Sequence, residues 1–202
     1  MKRIMIAVLP CALWLSACTP ATTDDVVGSD SGGSGAQSSS QATTDASKSS
    51  QVAAEDTQFM KDAAQSGMAE VKMGELASSN AESQPVKDLA QKIVTDHKKA
   101  NEELKQLAMK KSVSLPDAVT EEQKTMLQHL TSLKGREFDS AFKQHAVENH
   151  QKSVDKFKTA AEKAKDADIK AFAAKTLPTL QQHLALAKQL TAGPTATQPP
   201  PQ

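Results

Sequence analysis

The chain has 202 residues with 24 basic and 24 acidic side chains, a formal charge of zero, and only 3% aromatic residues. No block of basic residues is long enough for a nucleic-acid surface, and few rings are available for stacking on bases or sugars. Ala and Lys are the commonest residues, and both suit helices.

In chain order, Lys2 and Arg3 give a positive start, and Ile4 to Leu15 form an apolar run of 12 residues. That run is too short to span a bilayer as a helix and reads as a signal-peptide h-region. Leu15-Ser16-Ala17-Cys18 closes it and resembles a bacterial lipobox. The resemblance implies a signal peptide over residues 1–17 and a lipidated Cys18 at the start of the mature chain. The alternative is an ordinary secretory signal with an incidental cysteine. Several acyl chains, at ~0.8 kcal/mol per buried methylene, hold firmly to a membrane. Thr19 stands where Asp is the usual inner-membrane retention signal, which points to the outer membrane of a Gram-negative envelope, facing the periplasm. Cys11 leaves with the signal, so the mature chain has neither free thiol nor disulfide. Loss of Lys2 and Arg3 leaves 22 basic residues against 24 acidic.

Residues 18–55 are rich in Ser, Thr, Gly, Asp and Gln and read as a flexible tether. Residues 56–191 carry a helical pattern throughout, roughly 135 residues, enough for one core. A first helix is expected over about Thr57–Ser79, capped by Asp56 or Thr57. Its inner stripe is Met60, Ala63/Ala64, Gly67, Val71 and Gly74. Two glycines on one face cost ~1 kcal/mol each against alanine and imply close approach by a neighbour. A second helix starts near Ser83, with Pro85 in its first turn, and runs to Lys111. A short third helix runs from Thr120 to about Leu133, with Thr120 and Gln123 as a capping box, and Gly135 marks the next turn. A fourth helix spans about Glu137–Ala164 and a fifth about Asp166–Leu190, with Pro178 inside it, where it is expected to kink the helix or start its second half. Residues 192–202 are a Pro-rich tail. Four long amphipathic helices and no strand signal predict an all-α antiparallel four-helix bundle, the short helix lying in the long connection.

The order and spacing of Glu70-Val71-x-x-Gly74-x-Leu76-Ala77, Asp96-His97 with Ala100, Asn149-His150, and Leu177-Pro178-x-Leu180-x-x-His183-Leu184 resemble the DUF4142 family. The likeness covers about residues 57–190. It implies a ferritin-like bundle in an exported bacterial protein, and little about biochemistry.

The residues themselves place Glu70, His97, His150 and His183 on the inward stripes of four different helices. Di-iron bundles gather their ligands in this way, but they use a Glu-x-x-His on each of two helices. The residues three before His97, His150 and His183 are Val94, Val147 and Leu180, and no Glu-x-x-His occurs in the chain. The remaining metal reading is a mononuclear site for Fe, Cu or Zn, with Asp96 or Glu148 orienting the imidazoles. The competing reading is a structural polar layer whose groups are hydrogen-bonded to one another. The metal reading requires the four side chains to converge; the structural one requires closed donor–acceptor pairs. Met60, Met68 and Met73 could serve Cu(I) but suit core filling, and His129 and His145 lie nearer the polar faces. No nucleophile elbow or phosphate-binding glycine loop is present. The sequence thus describes a lipid-anchored envelope bundle without catalytic machinery, in a structural or binding role such as envelope stress. Metal storage, buffering or oxidation, and docking of another envelope protein, are the alternatives.

Overall fold

The computed structural model describes residues 52–192. The signal segment, Cys18, most of the tether and the Pro-rich tail lie outside the described residues. Within them the helices are α1 (Ala54–Asn80), α2 (Gln84–Lys111), α3 (Glu121–Ser132), α4 (Gly135–Lys163) and α5 (Ala167–Ala192). The fold is the expected helical bundle, and no described helix is long and apolar enough to cross a membrane.

Two helical hairpins, α1/α2 and α4/α5, pack α1 against α4 and α2 against α5. Two buried aspartates fix their relative direction. Asp139, in the first turns of α4, accepts the backbone N–H groups of Glu82 and Ser83 at 3.1 and 2.9 Å, so α4 begins where α1 ends. Asp56, in the first turn of α1, accepts those of Lys165 and Asp166 at 2.9 and 2.8 Å, so α4 ends where α1 begins. The α1–α2, α1–α4, α2–α5 and α4–α5 pairs are therefore all antiparallel. The chain must travel the length of the bundle between α2 and α4, as in bundles with one long crossover. That crossover carries α3, which packs mainly on α1.

Asp56 was expected to cap its own helix. Instead α1 starts two residues earlier, at Ala54 after Ala53, with no side-chain cap. The carboxylate is used by a turn 109 residues away because that turn's N–H groups have no helical partner. The other boundaries fall within a few residues of expectation. Thr120 and Gln123 form the reciprocal capping box, with bonds of 3.2 and 2.9 Å. Gly135 has φ +60°, the left-handed conformation that side chains disfavour. Helix α5 runs across Pro178 without starting anew. Pro178 and Ala174 are both exposed, so the carbonyl left without a donor lies on the solvent side.

The core is two apolar slabs. One gathers Met60, Leu104, Phe157, Phe172 and Leu180; the other gathers Met73, Ile93, Leu130, Phe138 and Phe142. Met60 and Met73 are fully buried core filler in different slabs, and Met68 is half-buried. On α1, Ala69 and Met73 turn inward while Val71 is half-buried.

Both inward glycines of α1 meet α2 closely. A Cβ on Gly74 would lie 2.6 Å from Val94 Cγ2 and 3.0 Å from the Ala90 carbonyl oxygen. A Cβ on Gly67 would lie 1.9 Å from the Asn101 amide oxygen, the end of a side chain that can turn away. Gly74→Ala is expected to lose about 1–3 kcal/mol, lowering Tm by roughly 3–10 °C. Gly67→Ala should cost nothing, since helix propensity returns up to ~1 kcal/mol. Thermal melts followed by circular dichroism check both.

Candidate metal centre

Between the two slabs lies a polar layer. Each of the four long helices contributes one buried group at this level: Glu70 from α1, His97 from α2, His150 from α4 and His183 from α5. Each sits on its helix's apolar stripe, so the packing that buries the stripe also carries the polar group inward. The rings form a nearly equilateral triangle, with centroids 5.5, 5.5 and 5.1 Å apart. One nitrogen from each converges on a common point, all three within 4.8 Å of one another.

The outward hydrogen bonds determine what the inward nitrogens present. His150 Nδ1 lies 2.9 Å from the Ala146 carbonyl oxygen, which can only accept. Nδ1 therefore carries the proton, and in the neutral ring Nε2 keeps its lone pair. His183 Nε2 lies 2.8 Å from Asp96 Oδ2 and donates to it, which in the neutral ring leaves the lone pair on Nδ1. These two lone-pair nitrogens, His150 Nε2 and His183 Nδ1, face each other at 3.2 Å. His97 Nε2 is 3.4 Å from the same His150 nitrogen. A hydrogen-bonded pair would need a donor where the outward contacts leave two acceptors.

Burial pushes the His97 imidazole down to about 3, with the neighbouring His150 and His183 adding to the effect. Burial likewise lowers His183 to about 4, against the upward pull of Asp96. Desolvation works to raise Asp96, but bonds from His183 and Lys92 outweigh it and hold the carboxyl below its ordinary range. The Asp96 carboxylate and the neutral imidazole thus keep their assigned roles at neutral pH.

The structure brings together His97, His150 and His183 and sets Glu70 apart. Glu70 Oε2 lies 3.8 Å from His150 Nδ1, on the side of the ring away from the convergence point. The reason is geometric: helical period places Glu70 at the right level, but the Ala146 bond turns the other edge of the His150 ring inward. Burial raises the Glu70 carboxyl above its usual range, although His150 and the Asn149 amide pull it down. Among the described residues its Oε2 is the one buried side-chain polar atom without a partner. Asp96 stands behind His183, the orienting position expected of it. Glu148 does not share that role; it is exposed, and Gln144 donates to it at 3.0 Å. His129 is exposed and His145 half-buried. The sequence reading missed the Ala146 carbonyl as an orienting group, and its i−4 position relative to His150 was the available signal.

Three nitrogens held at ~2.0–2.1 Å in a tetrahedron lie roughly 3.3–3.4 Å apart. Two of the three nitrogen pairs, at 3.2 and 3.4 Å, fit that spacing, and all three nitrogens lie within 4.8 Å of one another. A backbone carbonyl and a carboxylate behind two of the rings are the partners that metal-binding histidines ordinarily use.

His97 and His183 make stability pH-dependent, and His145, also lowered by burial, acts in the same sense. Above the ordinary histidine pKa of about 6.5 their contribution is fully present. As pH falls below it, the unfolded chain takes up protons that the folded chain refuses until about pH 4 at His183 and about 3 at His97. Stability therefore falls with acidification, by roughly 1.4 kcal/mol per pH unit for each histidine in that window. Glu70, shifted up, acts in the opposite sense and offsets part of the slope. The metal-free protein is expected to melt lower at pH 5 than at pH 7, and His97→Leu to shrink that difference. Equal melting temperatures at both pH values would contradict the buried neutral pair.

Comparison with known proteins agrees with the fold. A crystal structure of a DUF305 fragment from Deinococcus radiodurans superposes with TM-score 0.61 at 12% identity, covering 68% of this chain and 95% of that one. A putative secreted DUF305 protein from Streptomyces coelicolor gives 0.60 at 17% identity, covering 68% and 91%. CopM in its Cu(I)-bound form gives 0.58 at 18% identity, covering 68% and 95%. At these identities the likeness is one of fold. No curated protein matches the sequence. The model for a domain of unknown function, DUF4142, matches residues 41–190, and the chain belongs to that family.

Proposed function

We propose that this chain binds one transition-metal ion through His97, His150 and His183, and that it works in the cell envelope, held to a membrane by lipid on Cys18. The observation that carries the metal reading is the opposed pair of lone pairs, His150 Nε2 and His183 Nδ1, 3.2 Å apart. Two lone pairs facing each other repel, and a cation between them converts the repulsion into coordination. Imidazole donors suit Zn, Cu, Fe and Ni. CopM, similar in fold, has been solved with Cu(I), Cu(II) and Ag bound, which supports copper as the first ion to try. Among the described residues no fourth His, Cys or carboxylate joins the cluster, so a fourth ligand has to come from outside. A carboxylate-bridged di-iron centre has no support in these residues, since Glu70 faces the wrong edge of His150.

Lipid anchoring rests on Leu15-Ser16-Ala17-Cys18 and on the Ser/Thr/Gly-rich residues that follow.

The metal test uses the full chain with Cys11 and Cys18 replaced by serine, purified without a His tag and dialysed against Cu²⁺, Zn²⁺ or Fe²⁺. About one equivalent of one ion is expected, with Tm raised by roughly 5–10 °C at a hundredfold excess over Kd. His97→Ala and His183→Ala should each abolish retention. No bound ion and unchanged melting with all three would contradict the reading. For the anchor, a bacterial host fed radiolabelled palmitate should label the wild-type chain and not Cys18→Ala; an unlabelled wild type would contradict it.

A further inference from the structure

Two cavities approach the histidine layer from the groove between α1 and α4. The outer one is a crevice of about 190 Å³ roofed by the first turn of α3, with Asp62, Glu122, Asn149, Lys152 and Lys156 as well as Gln65 on its walls, Lys156 already paired with Asp62 at 2.6 Å. Glu70 lines its buried end. The inner one has about 20 Å³, room for about one water, and touches His97 among residues from all four long helices. Ser66 and Ser153 line both spaces, so the two share a wall made of small hydroxyl side chains. Glu70 also reaches from the crevice to within 3.8 Å of His150, with one oxygen unpartnered.

The opposite groove, between α2 and α5, presents Asp96 and Lys92. Asp96 Oδ2 there already accepts from His183 Nε2 at 2.8 Å and from Lys92 Nζ at 3.0 Å. A cation arriving on that side meets a carboxylate whose oxygen is doubly engaged. On the α1–α4 side it meets a polar passage that ends at a carboxyl with a free oxygen.

We propose that the α1–α4 crevice is the port through which a metal ion reaches the three histidines, and that Glu70 receives the ion on the way. The proposal rests on the metal reading and adds the route. Glu70 is a transfer group here, outside the final ligand set, so its removal should change the rate of loading and leave the amount bound intact.

The test is stopped-flow Cu²⁺ uptake by the full chain, in the background with Cys11 and Cys18 replaced by serine. Gln65→Cys places a thiol on the crevice wall, and Lys92→Cys places one at the opposite groove; each is modified with the same bulky maleimide. The adduct at position 65 should load about tenfold or more slowly, with the same final stoichiometry, as expected when an entry path is obstructed. The adduct at position 92 should load as the unmodified protein does. Glu70→Gln should load several-fold more slowly with stoichiometry unchanged. Full-rate loading by the position-65 adduct, or slow loading by the position-92 adduct alone, would overturn the port while leaving one equivalent bound. If the unmodified protein takes up no Cu²⁺, the metal reading fails and the port fails with it.

Discussion

Three imidazoles can be buried together in a helical core only if each ring's N–H finds an acceptor. Here two of those acceptors lie outside the trio: the Ala146 carbonyl behind His150 and Asp96 behind His183. The N–H groups of His150 and His183 point away from each other and their lone pairs point inward. The layer also constrains the bundle. It separates two apolar slabs, so sliding α2, α4 or α5 by one turn of ~5.4 Å would carry an imidazole into apolar surroundings. Stranding a polar group there costs about 1–3 kcal/mol. Helix register and ring orientation therefore support each other.

The ends of the bundle complete that arrangement. Asp56 holds the α4–α5 turn and Asp139 holds the α1–α2 turn, each from the first turns of a helix in the other hairpin. The hairpins are thereby tied at both ends, and the four polar residues, placed near mid-helix, come level. The crossover that this connectivity demands lays α3 over the α1–α4 side. Its capped first turn roofs the crevice beside Glu70. The close approach of α1 to α2 at Gly67 and Gly74 narrows the bundle at the same level, which helps bring nitrogens from different helices within 4.8 Å.

Much of this was legible in the sequence because helical period converts spacing into facing. Histidines spaced with Ile93, Val154 and Leu180 had to turn inward, and two glycines seven apart had to share a face. The Thr120 capping box is local chemistry and was readable as such. What the spacing could not carry was anything set across the bundle. Asp56 looks like a cap for its own helix until a turn over a hundred residues away supplies better donors. Glu70 has the right face and height, but its distance from the convergence point depends on which edge of the His150 ring turns inward. Glu148, beside Asn149-His150, points outward because neighbouring positions on a helix lie about 100° apart. Pro178 looked like a boundary because a proline removes a bond. Its exposed position leaves the freed carbonyl on the solvent side, and the helix continues.

The central claim is that the outward bonds leave His150 and His183 with opposed lone pairs at neutral pH. Long-range ¹H–¹⁵N correlation spectra of the histidine rings in the metal-free protein at pH 7 test it most directly. The account predicts the Nδ1–H tautomer for His150 and the Nε2–H tautomer for His183. An Nδ1–H tautomer at His183 would make the His150–His183 contact an ordinary hydrogen bond, and the layer would be a closed structural network with no call for a metal.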